Sequence, residues 1–129
     1  MEIKQKISSF TDLTSWQEAH RLVLMIYKET AKFPKEEMFG LVSQMRRASV
    51  SITSNIAEGF SRQYYSEKAQ FYCMAQGSNT ELQNQLMVAR DVGFMEQAKY
   101  QIIFNQSVVT YRLLGGLIGK TKKINAAHS

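Results

Sequence analysis

From Met38 to Ser61 the chain carries only three charged residues, Arg46, Arg47 and Glu58, although its apolar residues recur at helical spacing. A helix with one wet side normally carries Lys and Glu on that side. Here Leu41, Met45, Ala48, Ile52 and Ile56 form the core stripe, and the opposite side holds the small residues Ser43, Val50, Ser54 and Ala57. The two flanking faces carry Gln44, Arg47, Ser51, Asn55 and Glu58, and Val42, Arg46, Ser49 and Thr53. A rod poor in charge on both front and back belongs inside a bundle, with a second copy of the chain expected against its back. The alternative is that a hydroxyl-rich back simply faces water.

The rest of the chain is compatible with such a bundle. No segment alternates apolar and polar residues for long, so strands are not expected. The single proline, Pro34, divides a first helix from a second. Periodicity and stop signals place helices at about 11–32, 35–59, 66–91 and 95–119, followed by a polar, basic tail over 120–129 expected to fray. Thr14 and Gln17 have capping-box spacing, "PKEE" suits a first turn, Ser66 is a candidate N-cap, and Gly59 and Gly93 are candidate stops. The expected inward residues are Trp16, Ala19, Val23, Ile26 and Tyr27 on helix one. On helix three they are Phe71, Ala75, Ser78, Leu82, Leu86 and Ala89. On helix four they are Tyr100, Ile103, Phe104, Val108, Tyr111, Leu114 and Ile118. With 129 residues and short connections, the expected fold is a single all-α domain, an antiparallel up-down-up-down four-helix bundle.

Chemistry-bearing residues are sparse. The nearest approach to a di-iron bundle motif is "QEAH" at 17–20, which supplies Gln where Glu is needed, and the second histidine, His128, lies in the tail. His20 beside Arg21 reads as a surface or interface residue. Cys73, in "QFYCMA", reads as a small buried hydrophobe. No phosphate loop, nucleophile elbow or zinc spacing is present. Neither catalysis nor a metal or other cofactor is therefore expected. The lone cysteine and an N-terminus without an apolar signal core fit a cytoplasmic protein, and no apolar run is long enough to span a membrane.

Sixteen Lys and Arg against eleven Asp and Glu give a net charge of +5, a balance that favours polyanionic partners and equally serves solubility. The cations gather as Arg46, Arg47 and Arg62 around helix two and as Arg112, Lys120, Lys122 and Lys123 toward the C-terminus. These seven are the candidate phosphate contacts. Arg47, Asn55 and Glu58, with Glu81 in reach, could instead form a network that sets helix register. "RQYY" at 62–65 offers an arginine and two tyrosines that either stack on bases or lock a loop onto the bundle.

The stretch "FPKEEMFGLVSQMRRASVSITSNIAEGFSR" resembles the core of the four-helix bundle protein family. That family includes proteins encoded in intervening sequences of bacterial 23S ribosomal RNA genes and the accessory variability determinant proteins of diversity-generating retroelements. The likeness rests on Trp16, Gln17 and Ala19, and on Phe33, Pro34, Phe39, Gly40, Leu41, Gln44, Arg46, Arg47 and Ala48. It continues through Ser51, Ile52, Asn55, Ile56, Ala57, Glu58, Gly59 and Arg62. In "AQGSNTELQNQL" it rests on Ala75, Gly77, Ser78, Glu81, Leu82 and Gln85. The resemblance implies a ring-like homopentamer without enzymatic activity. In the retroelement branch it also implies a positive surface that meets nucleic acid and a reverse transcriptase. Together with the charge pattern it leads to one main expectation: a non-enzymatic homo-oligomeric scaffold binding RNA or DNA without strong sequence specificity. The alternative is a protein–protein adaptor docking a partner such as a reverse transcriptase, and a cleft enzyme between subunits is the weakest reading.

Overall fold

The computed structural model describes residues 6–128. Among them the chain forms four α-helices: α1 (Thr14–Thr30), α2 (Leu41–Ser61), α3 (Tyr65–Asp91) and α4 (Gln97–Ala127). Short 3-10 turns at Phe10–Asp12 and Lys35–Glu37 precede α1 and α2. Each helix packs on two others: α1 on α2 and α4, α3 on α2 and α4.

Local chemistry explains the boundaries, and it corrects several expectations. The capping box sits at Ser9 and Asp12, one turn earlier than the Thr14–Gln17 pair: Ser9 Oγ accepts from the Thr11 N–H, and Asp12 accepts from the Ser9 N–H at 3.0 Å. Gln17 instead reaches back to donate to the Thr11 carbonyl at 2.9 Å. The "PKEE" segment makes only a 3-10 turn, because the backbone breaks at Gly40 before α2 begins. Glu37 then supplies the missing cap, its Oε2 accepting from the Leu41 N–H at 3.1 Å. Ser66 lies inside the first turn of α3, one residue after its start. Gly93, at φ 87°, ends α3 as expected, and the Phe94 N–H closes onto the Ala89 carbonyl.

Gly59 does not stop α2, which runs two residues further. It is buried in the seam with α3, where an added Cβ would stand 2.8 Å from Tyr72 Cε1 and 2.9 Å from Phe71 Cβ. Glycine lets the two backbones close together. The tail also departs from expectation: α4 continues through Ala127, so Lys120, Lys122 and Lys123 are helical.

The core is the set of stripes, with additions. Leu22, Ile26, Met45, Ile52, Ile56, Leu82, Leu86, Ile103 and Leu114 are fully buried, each contributing roughly 1.5–3 kcal/mol of transfer free energy. Val42 and Ser49, assigned to a side face of α2, are buried. Tyr27 and Tyr111, assigned inward, stand 42% and 45% exposed. Between α3 and α4 the core also holds buried polar groups. Asn79 donates to the Ser107 carbonyl at 2.9 Å and Gln83 to Ser107 Oγ at 3.0 Å, while Thr110 Oγ1 donates back to the Gln106 carbonyl. A hydroxyl that serves its own helix can be buried without an orphaned proton.

Partners across the seams run in opposite order. Ser51 meets Ser78 at 2.9 Å while Gly59 lies against Tyr72. Gln76 reaches Tyr111 while Arg90 lies over the Tyr100 ring.

Candidate interaction surfaces

The back of α2 is an open groove of about 580 Å³, lined in part by Tyr27, Met38, Phe39, Ser43, Val50 and Ser54. Three of the four residues expected to meet another copy, Ser43, Val50 and Ser54, therefore lie in one concavity; Ala57 is half-buried just beyond it. Phe39, in the turn before α2, is 97% exposed. It adds an apolar ring to the lining of that concavity.

The arginines of α2 differ in their engagements. Arg46 is half-buried: its Nε donates to Thr30 Oγ1 at 3.0 Å and its guanidinium lies 4.7 Å from the Tyr27 ring centroid. Arg62 pairs with Glu58 at 2.6 Å, reaches toward Glu67 and covers the Phe71 ring at 4.6 Å. Glu58 thus takes Arg62, and the register network expected around Arg47 does not form. Asn55 instead donates to the carbonyl and hydroxyl of Ser51, and Glu81 accepts from Gln85. Arg47 is exposed, with no ion pair among the described residues. It stands between the α1-side groove and a second one on the α3 side, and it lines both.

On α4, Arg112, Lys120, Lys122 and Lys123 are all exposed, and none takes part in an ion pair among the described residues. Gly115, Gly116 and Gly119 lie among them. Gly77 on α3, part of the sequence motif, is exposed, and an added Cβ there would meet no neighbouring side chain or helix within 4 Å among the described residues.

The remaining candidates fall elsewhere. Cys73 is exposed, against expectation, because its side of α3 opens toward Lys122 in a shallow groove. The tyrosines of "RQYY" do not lock a loop: Tyr64 is 60% exposed, and Tyr65 stacks loosely on His128. His20 is exposed and stacks on Trp16 at 4.7 Å. Lys68 donates to the Phe60 carbonyl at 2.6 Å, and partial burial holds its pKa below the usual lysine value. Among the described residues no group of three or more His, Cys, Asp or Glu is placed to hold a metal ion, and no helix is long and apolar enough to cross a membrane.

Hydrophobic periodicity missed the buried polar residues Asn79, Gln85, Ser107 and Thr110. The signal that could have found them is their heptad-like recurrence with the apolar residues beside them, as in Asn79, Leu82 and Leu86.

A family model for the 23S rRNA-intervening sequence protein matches residues 11–116. A solved structure of a protein of unknown function from the S23 ribosomal protein family of Bacteroides thetaiotaomicron VPI-5482 has a TM-score of 0.75 to this chain at 19% identity. The match covers 81% of this chain and 95% of that one, and at this identity it speaks for the fold alone. No curated protein matches.

Proposed function

This chain belongs to the 23S rRNA-intervening sequence protein family, and from that premise we propose a non-enzymatic, homo-oligomeric scaffold whose basic face holds RNA or DNA by its phosphates. The helices run up-down-up-down, an order supported by the reversed pairing across the α2–α3 and α3–α4 seams. Copies associate through Ser43, Val50, Ser54 and Ala57 on the back of α2 into a ring, a pentamer, with Phe39 and Arg47 at the edge of the contact.

One observation carries the nucleic-acid part. The cations of the last four turns of α4 are displayed on a continuous helix, free of carboxylate partners among the described residues, while Arg46 and Arg62 are occupied within the chain. Arg112, Lys120, Lys122 and Lys123 are accordingly the principal phosphate contacts. The contact is salt-sensitive and largely indifferent to sequence.

Fluorescence anisotropy with single-stranded RNA and with duplex DNA, at several salt concentrations, tests this. Replacing the three lysines by glutamine lowers the slope of log affinity against log salt by about 2 for single strands. Absence of binding at low salt would overturn it. Light scattering tests the assembly: the expected mass is near five times the 14.8 kDa of one chain, and Val50→Arg reduces it. A persistent monomer would turn the Phe39 groove over to a foreign protein, the adaptor reading.

A further inference from the structure

On the α3 side of Phe39 a second groove, of about 440 Å³, runs between α2 and α3. Unlike the apolar groove on the α1 side, its walls are polar: Ser43, Gln44 and Arg47 from α2 face Glu81 from α3. Arg47 and Glu81 line the same concavity, yet among the described residues no ion pair joins them. A guanidinium and a carboxylate that line one concavity without pairing are available to a molecule that bridges them.

The carboxylate is positioned from beneath. Gln85, 95% removed from solvent, donates its amide to Glu81 Oε1 at 3.3 Å, and its own carbonyl oxygen is buried without a hydrogen-bond partner. A buried amide with an orphaned oxygen is costly. Its donor is committed to orienting Glu81, whose second oxygen takes no hydrogen bond among the described residues. Phe39, 97% exposed, adds its phenyl ring to the lining of the same groove.

The ligand chemistry follows from these three groups. A free carboxylate selects adjacent N–H donors, a guanidinium selects adjacent acceptors, and an exposed aromatic ring takes a flat face. Among the nucleobases guanine alone carries all three. Its N1–H and N2–H₂ form a donor pair for a carboxylate, and its O6 and N7 form the acceptor pair that arginine binds bidentately. Its ring stacks on an aromatic side chain, as unpaired bases do. Adenine and cytosine each offer an acceptor beside their amino group where Glu81 needs a donor, and uracil offers a single N–H.

We infer that the α2–α3 groove is a guanine-binding site, with Glu81 and Arg47 reading the two edges of an unpaired base and Phe39 stacking on it. This deepens the nucleic-acid reading and rests on it for its setting: α4 supplies affinity for any strand, and the groove adds a preference for an unpaired guanine. The base-reading residues lie on α2 and α3, apart from the α4 cations, so the two can be tested separately.

The test titrates the full chain with GMP, IMP, AMP and UMP, following backbone amides of residues 39–51 and 78–85 by two-dimensional NMR. GMP is expected to shift these amides and to bind about tenfold more tightly than IMP, which lacks the 2-amino group. AMP and UMP bind more weakly still. Glu81→Gln, at an exposed position, erases the difference between GMP and IMP, and Phe39→Ala weakens both alike. Equal affinity for GMP and AMP, shifts confined to other residues, or a guanine preference that survives Glu81→Gln would overturn the inference. Oligouridylate binding at low salt is measured in parallel. It contains no guanine, so its presence or absence decides the α4 reading without touching this one.

Discussion

Gly59 on α2 and Gly116 on α4 are both helical, yet a methyl group added to the first would stand 2.8 Å from Tyr72, while one added to the second would meet no neighbouring group within 4 Å among the described residues. Their neighbouring cations differ in the same sense. Arg46 and Arg62 are spent inside the chain on a hydroxyl, carboxylates and aromatic faces, whereas Arg112, Lys120, Lys122 and Lys123 are left to solvent. The same residue types hold the bundle together along α2 and leave a charged, small-residue face along α4. Residue type alone does not separate a structural role from an available one; what lies within reach does.

The comparison breaks first at the glycines. Gly59→Ala forces Tyr72 and Phe71 to move, and overpacking outweighs the gain in helix propensity, for a net loss of about 1–2 kcal/mol in urea unfolding. An unchanged midpoint would mean that the α2–α3 seam is looser than its geometry. Next come the cations. Arg46→Ala removes a hydrogen bond to Thr30 and the cover over Tyr27, and should cost about 1 kcal/mol. Lys123→Ala should leave the unfolding midpoint within about 0.5 kcal/mol while weakening nucleic-acid binding. Equal losses from the two would erase the distinction between α2 and α4. Gly116→Ala should stabilise by about 0.5–1 kcal/mol, since it adds helix propensity where nothing obstructs a side chain. A loss instead would show that another copy or a ligand packs there in solution.

The smallest effect is electrostatic and lies outside both helices. The backbone N–H groups of Ser8 and Ser9 hold the Asp12 pKa below its ordinary 3.8. A carboxylate lowered by folding contributes stability that is present above the unfolded value and lost as pH falls through the folded one. The acid limb of unfolding below about pH 4 should therefore be shallower in Asp12→Asn, as followed by circular dichroism. An identical acid limb would mean that the capping box contributes nothing measurable.

Several residues show where sequence reasoning reaches its limit. Ile52, Ile56, Leu82 and Leu86 were legible as core because a helix repeats every 3.6 residues and apolar side chains follow that repeat. The same rule turned Tyr111 inward and passed over Ser107 and Thr110, because it weighs apolarity and does not see that a hydroxyl can satisfy itself on its own helix. Glu58 was placed correctly on a polar face, but its partner proved to be Arg62, one turn away, in preference to Arg47. Gln85 appeared only as part of a motif; its buried, half-satisfied amide beneath Glu81 depends on how α3 is rotated against α2. Lys120, Lys122 and Lys123 were identified as cations but assigned to a frayed tail, since the segment over 120–129 is polar and basic.

What the sequence determined by itself is the number and type of elements, the dry stripe of each helix and the unusual back of α2, because all of these are set by local periodicity and by the solvation of individual side chains. What only the tertiary structure decided is which polar groups are committed and which remain available: Arg46 on Tyr27, Asn79 on Ser107, Arg47 and Glu81 in one groove without an ion pair. Those outcomes depend on the rotation and closeness of helices whose contacting residues lie many positions apart, and hydrogen bonds act only over a few ångströms in space, whatever the separation along the chain.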